Sequence, residues 1–337
     1  MRQDFPILEY DPTRRAVIEP AEQIKPADIS DHCVVCFFQE VLTALVGAGI
    51  LRKVASTKSE IGEHPFYEVE MDGQRLTVFH PGVGAPLAAG LLEEAIAKGC
   101  RTFVACGAAG VLNRDIAVGH LVVPIAAIRD EGTSYHYLPP EREVQASAEV
   151  VSAIERVLAH HHVPYVLGKT WTTDAFYRET PNKVQLRREE GCLTVEMEAA
   201  AFFAVARFRG VAFGQILYGG DDVSGDTWDT RNWHRRASDR EKLFWLAVET
   251  CAALLNERNT GLESVFIAHR AARWHPATST PRERWAAESP SATYFTVAPS
   301  ASAGVGAPRQ AAASAAHTPA VPPPAITTSH SYRTGVW

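Results

Sequence analysis

The chain has 337 residues, of which 46% are hydrophobic and 21% charged, with a formal net charge of −6. That is enough chain for a large core, and the mild acidity excludes a general electrostatic nucleic-acid binder, which carries a basic surplus. No run approaches the roughly 18 apolar residues of a membrane helix, residues 1–12 lack the pattern of a signal peptide, and six scattered cysteines form no disulfide framework, so a reducing cytoplasm is the expected compartment.

Taken in order, Cys33 to Phe38 reads as a buried strand and Gln39 to Leu51 as a helix. Phe66 to Met71 and Leu76 to His80 read as a hairpin around Asp72-Gly73. Ala85 to Lys98 is helical and stops at Gly99; Thr102 to Cys106 and Leu121 to Ile128 are strands; Ala148 to His160 is a helix and Tyr165 to Thr172 a strand. Cys192 to Val195 is a strand entering the helix Glu198 to Phe208, Ala212 to Tyr218 is a strand, and Arg240 to Asn256 is a long closing helix. From Ala271 onward Ala, Pro, Ser, Thr and Gly make up about two thirds of the residues, and Lys and Asp vanish. Such a segment cannot bury enough apolar surface to offset its ordering entropy. The expected organisation is an N-terminal extension over 1–25, a working domain over 26–260 and a disordered tail over 270–337. Alternating Val-rich strands and helices predict an α/β fold with a mostly parallel or mixed sheet covered on both faces. Ligands in such folds sit at the carboxyl ends of strands.

Small-residue turns are expected there. Pro81-Gly82-Val83-Gly84 follows one strand and opens a helix, and Gly107-Ala108-Ala109-Gly110 follows another. Both let backbone amides approach a ligand or, equally, let elements pack closely. Neither is a P-loop or a dinucleotide fingerprint. Val195-Glu196-Met197-Glu198-Ala199-Ala200 places two carboxylates at a strand end, of which a helix N-terminus accounts for one. Gly219-Gly220-Asp221-Asp222 follows the last strand and reads either as a turn with an N-cap or as a site.

Over residues 30 to 257 these pieces resemble the nucleoside phosphorylase/nucleosidase superfamily, which groups purine nucleoside and uridine phosphorylases with methylthioadenosine nucleosidases. Val-Glu-Met-Glu-Ala-Ala is its most specific motif. The Gly-Val-Gly turn, Gly-Ala-Ala-Gly, Gly132-Thr133-Ser134-Tyr135-His136-Tyr137, Thr173-Asp174-Ala175-Phe176-Tyr177 and the Asp221 turn follow in family order. The resemblance implies a three-layer sandwich around a central mixed β-sheet, and cleavage of the bond between ribose C1′ and a nucleobase through an oxocarbenium-like transition state. It also implies a homodimer or dimer-based hexamer and no cofactor, with phosphate as co-substrate if the reaction is phosphorolytic.

Residue by residue, the resemblance assigns Glu198 to the ribose hydroxyls and the cationic sugar, and Met197 to packing on the ribose. Asp221 would protonate the leaving base, with Asp222 a competing candidate, and Phe176 would stack on it. Gly84, Gly107, Ala108, Glu196 and His136 complete the expected binding set, and no metal is expected. Phe176 and His136 also read as ordinary core and structural residues. The departures concern phosphate. Family phosphorylases carry Gly-Asp-Pro and an arginine after the first strand, where this chain has Cys36 to Leu42; they carry an arginine at the position of Ala105 and a hydroxyl at that of Ala108. At roughly 1.5–3 kcal/mol per charged hydrogen bond, these losses weaken phosphate binding by orders of magnitude. Glu40 falls near the glutamate that activates water in the nucleosidases, although an acidic residue also suits the first turn of a helix. The balance favours hydrolysis. The alternatives are a phosphorylase with a rearranged phosphate site and an inactive nucleoside-binding protein. The Gln-x-Arg that reads uracil is absent from Arg178-Glu179-Thr180-Pro181-Asn182, and Asp221 tilts the choice to purine. Cys33-x-x-Cys36 reads as buried thiols and His160-His161-His162 as a helix end. Trp228, Trp233, His234, Arg235 and Arg236 read as a lid or an interface.

Overall fold

The computed structural model describes residues 2–233 and 236–260; the expected tail over 270–337, with His234 and Arg235, lies outside the described residues. The helices are α1 (Pro20–Gln23), α2 (Gln39–Gly47), α3 (Ala85–Lys98), α4 (Ala148–His160), α5 (Pro181–Glu189), α6 (Ala199–Arg209) and α7 (Ala237–Thr260). The strands are β1 (His32–Cys36), β2 (Arg52–Ser59), β3 (Gly62–Met71), β4 (Gln74–Phe79), β5 (Thr102–Val111), β6 (Leu121–Asp130), β7 (Glu143–Gln145), β8 (Tyr165–Thr173), β9 (Cys192–Glu196) and β10 (Ala212–Asp222).

The strands form one mixed sheet in the order β10-β6-β8-β9-β5-β1-β4-β3-β2, with β7 paired to β6. β10 pairs β5 as well as β6, so β5, β9, β8, β6 and β10 close a ring, and the remaining strands continue from β5 as an open extension. Ala109, Val111, Ile116, Val122 and Leu217 form an apolar cluster of their own on the ring strands and the β5–β6 connection. β1 runs parallel to β4 and β5 on its two sides and is buried along its whole length. Cys36 and Phe38 face a core built with α2, α4 and α7, whereas Cys33, Val35 and Phe79 face one built with α3 and α6. The α/β sandwich around a mixed sheet is therefore as the sequence implies. Among the described residues, no helix is long and apolar enough to cross a membrane. The six cysteines are buried and unbridged. The N-terminal segment packs on the domain through Arg209, which pairs with Glu19 at 2.8 Å and Glu93 at 2.7 Å.

Two expected turns prove to be strand. β5 continues through Gly107-Ala108-Ala109-Gly110 to Val111, and β10 continues through Gly219 and Gly220 to Asp222, because the two run in parallel register from Ala212↔Thr102 to Gly219↔Ala109. Small residues permit this close approach: a Cβ on Gly219 would lie 2.8 Å from Val111 Cγ1 and 3.0 Å from Ile116 Cγ2. α2 stops at Gly47 rather than Leu51, and Gly49, at φ +72°, lies beyond its end. β2, β7 and α5 were not anticipated.

Candidate active site

The ends of β1, β4, β5, β9 and β10 carry most of the candidate residues, with His136 following β6 and Phe176 following β8. Glu196 ends β9. Its Oε2 accepts the amide hydrogens of Glu198 and Ala199 at 2.7 Å each, which caps α6. Its Oε1 accepts from Thr172 Oγ1 at 2.6 Å, and that oxygen accepts from the Ala200 amide at 2.9 Å. Glu196 therefore holds the helix start, and Glu198 next to it is placed by that cap. Glu198 is 5% exposed. Its Oε1 accepts from the Gly84 amide at 2.6 Å and its Oε2 from the Met197 amide at 3.3 Å. Burial pushes both carboxyls above the ordinary glutamate range, and the charge of Glu196 raises Glu198 further.

The Gly84 amide is presented by a turn only glycine adopts readily. Gly82 and Gly84 have φ of +76° and +91°. His80 braces the turn: its Nδ1 accepts from the Gly82 amide at 3.0 Å, and its Nε2 contacts the Phe37 carbonyl at 3.2 Å. An amide can only donate and a carbonyl only accept, so Nε2 carries the proton. Burial keeps the ring neutral by lowering its pKa. Phe37 itself packs over Gly107, where a Cβ would meet its ring at 3.1 Å. Ala108, one residue on, pairs with Tyr218 across the β5–β10 ladder.

Gly110 links the two halves of the site. It lies opposite Val195 in the β5–β9 pairing, and a Cβ on it would stand 3.1 Å from Val195 Cγ1 and 3.5 Å from Asp221 Oδ1. Asp221 and the strand that leads into Glu198 thus flank the same α-carbon. Asp221 Oδ2 accepts the indole N–H of Trp228 at 2.6 Å. Phe176 is 47% exposed and lies against Tyr177, ring centroids 4.1 Å apart.

Three predicted residues take other positions. Asp222 is 3% exposed and its Oδ2 meets Arg231 at 2.6 Å and Arg114 at 3.7 Å. Burial works against its charge, but Ser224 and Arg231 hold it below the ordinary aspartate range. Glu40 lies in the first turn of α2 with its carboxylate paired to Arg240, whose Nε donates to Tyr218 Oη at 3.0 Å. His136 is exposed on a 3₁₀ turn over Ser134–His136.

Two further carboxyls escaped the sequence reading. Glu131 is buried, with Oε2 accepting from the Ser134 amide at 2.9 Å and Oε1 unpartnered. Burial raises its pKa, and its charge acts on Glu196. Glu179 is partly buried and is pushed up to about 7 by burial and by Asp221. Neither carries a local motif; only the fold brings them in. The described residues offer one grouping of metal-ligand atoms, His160, His161 and Glu249, within 4.8 Å of one another. It lies at the C-terminal end of α4 and on α7, and the 2.8 Å contact of His161 with Glu249 already accounts for its packing.

Comparison with known proteins identifies the family and the fold. A guanosine phosphorylase from Halorubrum lacusprofundi is 37% identical over 158 residues, 46% of this chain and 64% of that protein. A uridine phosphorylase from Thermococcus kodakarensis is 32% identical over 173 residues, 47% of this chain and 62% of that one. The chain therefore spans less than two thirds of either relative. Among solved structures, an AMP nucleosidase from Bacteroides thetaiotaomicron superposes with a TM-score of 0.55 at 23% identity, covering 69% of this chain and 91% of the other. A uridine phosphorylase from Vibrio fischeri does so with a TM-score of 0.58 at 24% identity, covering 68% and 95%. At those identities the likeness is one of fold. The profile of the Phosphorylase superfamily matches residues 31–255, and the chain belongs to that superfamily.

Proposed function

We propose that this protein cleaves the N-glycosidic bond of a purine nucleoside, with water as the acceptor. The observation that carries the reading is Glu198, a buried carboxyl fixed on the Gly84 amide at the strand ends. As the glycosidic bond breaks, the sugar becomes cationic. A positive charge beside Glu198 draws its carboxyl into the ionised form despite burial, so the stabilisation grows with the transition state. Asp221, on the far side of Gly110, donates to the departing base, a role worth about 10²–10⁴-fold. Phe176 supplies a stacking face. The purine assignment rests on Asp221 and on the name of the 37% identical relative, guanosine phosphorylase.

Water is favoured over phosphate by charge. Glu131, Glu196 and Glu198 form a run of buried carboxyls, and among the described residues no arginine side chain hydrogen-bonds to the Gly82–Gly84 turn or to Gly107, Ala108 or Ala109. Glu40 has its carboxylate paired with Arg240. A second reading, phosphorolysis, is favoured by Arg240 itself. It is buried and bonds Tyr218, the partner of Ala108, so an anion displacing Glu40 would meet a guanidinium. The test is chromatography of products from a nucleoside panel with and without phosphate. Free base and ribose without phosphate are expected. Ribose 1-phosphate that forms only with phosphate, and is lost in Arg240→Met, supports the second reading and overturns the first. Binding without base release refutes both.

A further inference from the structure

His80 is the first residue after β4, on the connection to α3. Both of its ring nitrogens have partners of a fixed kind: the Gly82 amide donates to Nδ1 at 3.0 Å, and Nε2 donates to the Phe37 carbonyl at 3.2 Å. Only the neutral ring with its proton on Nε2 satisfies both. Gly82 is seated closely against α3, where a Cβ would stand 2.3 Å from Leu87 Cδ2. Two residues on, Gly84 opens α3. Its carbonyl accepts from the Ala88 amide at 3.1 Å, and its own amide donates to Glu198 Oε1 at 2.6 Å. The imidazole, the turn and the Glu198 carboxyl are therefore joined within five residues of chain.

We infer that His80 is a positioning residue for the cleavage reaction: its unprotonated Nδ1 holds the Gly82–Gly84 turn in the form that fixes Glu198, and a second proton on the ring releases that turn. This rests on the role given to Glu198 above and adds the group that sets its geometry. A proton on Nδ1 makes it a donor facing the donor of Gly82. The bond is lost and the peptide turns away, which the glycines at both positive-φ positions permit. The Gly84 amide then leaves Glu198, whose remaining amide contact is the 3.3 Å one from Met197. The charged and titratable groups that face the ring are Glu40 on α2 and His64 on β3, with Glu198 reached through the turn. Burial opposes the second proton most, and His64 adds to it. The Phe37 carbonyl and Glu40 favour it, and Glu40 is matched by Arg240. The outcome is a ring whose pKa lies below the ordinary 6.5, so the turn is held at neutral pH and let go in acid.

Two variants test this. Asn carries an oxygen where Nδ1 stands and takes no proton, so His80→Asn keeps the acceptor for Gly82. Gln reaches the place of Nε2 instead, so His80→Gln leaves Gly82 without one. The measurement is kcat/KM against pH for the nucleoside of the panel above that is cleaved fastest. The ratio of native to His80→Asn is expected to be constant above 6.5 and to fall about tenfold in acid, the equivalent of one hydrogen bond of about 1.4 kcal/mol. Other ionising groups, Glu198 among them, act in both proteins and cancel in the ratio. His80→Gln is expected about tenfold below His80→Asn at neutral pH. A merely structural His80 leaves the ratio flat, so a flat ratio overturns the inference, as does His80→Gln with the activity of His80→Asn. The native protein offers a measurement that needs neither variant nor turnover. With isotope-labelled histidine and glycine, nuclear magnetic resonance follows the His80 ring nitrogens and the Gly84 amide against pH. A ring protonated on Nε2, and a Gly84 amide that shifts at the midpoint of the ring, are expected. If no base is released the cleavage reading fails separately, and a Gly84 amide that does not move at the midpoint of the ring overturns the coupling itself.

Discussion

Glu198→Gln separates chemistry from architecture at a single atom. The substitution keeps volume and keeps an oxygen to accept the Gly84 amide, now 2.6 Å from Oε1. The amide nitrogen replaces Oε2, which accepts weakly from Met197 at 3.3 Å. A donor then faces a donor, costing about 1 kcal/mol. Against that, the variant removes one of two buried carboxyls that repel each other, Glu196 and Glu198. The melting temperature of Glu198→Gln therefore stays within about 2–4 °C of the native value. Turnover behaves differently. A preorganised group aimed at developing charge is worth about 10²–10³ in kcat, or about 2.7–4 kcal/mol, and the neutral amide supplies no charge to the cationic sugar. Base release at saturating nucleoside, measured by chromatography beside calorimetric melting, gives both quantities. The control is Glu196→Gln. One amide oxygen cannot replace the two oxygens that serve Thr172 and the Glu198 and Ala199 amides, so this variant loses about 1–3 kcal/mol of stability. Turnover of Glu198→Gln within a few-fold of native, at native melting temperature, would refute the assignment of the sugar charge to this carboxylate.

Asp222→Asn removes the partner of Arg231 and Arg114. Breaking a buried pair costs about 3–5 kcal/mol, so thermal melting falls well below that of Glu198→Gln; a native melting temperature would place Asp222 outside the framework. Stability should also depend on pH with a definite sign. Glu131, Glu179, Glu196 and Glu198 all sit above their ordinary value of 4.5, Glu179 at about 7. The folded state holds protons that the unfolded chain releases, so this contribution is complete below 4.5 and is lost as pH rises through the folded values. Asp130 and Asp222 lie below 3.8 and act at the acid end, where their pairing is lost as pH falls. His80, kept neutral by burial, opposes the carboxyls below its ordinary 6.5, one group against four. Melting temperature should therefore decline from about pH 5 to about pH 7, and a steady rise over that interval would contradict the carboxyl assignments.

The strongly patterned elements were legible. α3 and α4 fall on the expected bounds, and Gly99, at φ +131°, ends α3. Asp72 and Gly73 turn the hairpin with φ of +51° and +76°. β2 was not legible because Arg52–Ser59 is polar and largely exposed, and its ladder to β3 is a main-chain matter. α5 buries only Val184 and Arg187, so no apolar stripe announces it. At the site, the motif around Glu198 marked the two buried carboxyls at the end of β9. Ring closure through β10 turned two expected loops into strand, and no local spacing encodes a ring. Glu40 and Arg240 lie 200 positions apart, so their pairing is invisible to any window of sequence. Trp228 reads from sequence as part of a lid or an interface, whereas its bond to Asp221 depends on where β10 ends.

The relay that runs from Phe37 through His80 and Gly82 to the Gly84 amide anchors the Glu198 carboxylate to the ends of β1 and β4. The groups that the proposed function sets beside the base have a different footing: Phe176 stands on a short connection, and Trp228, which bonds Asp221, on the segment after β10. Connections tolerate substitution that sheets do not. On the proposed function, preference for one heterocycle over another can therefore drift through a handful of surface positions while the groups assigned to bond breaking stay fixed, a division that suits a single scaffold to many nucleosides.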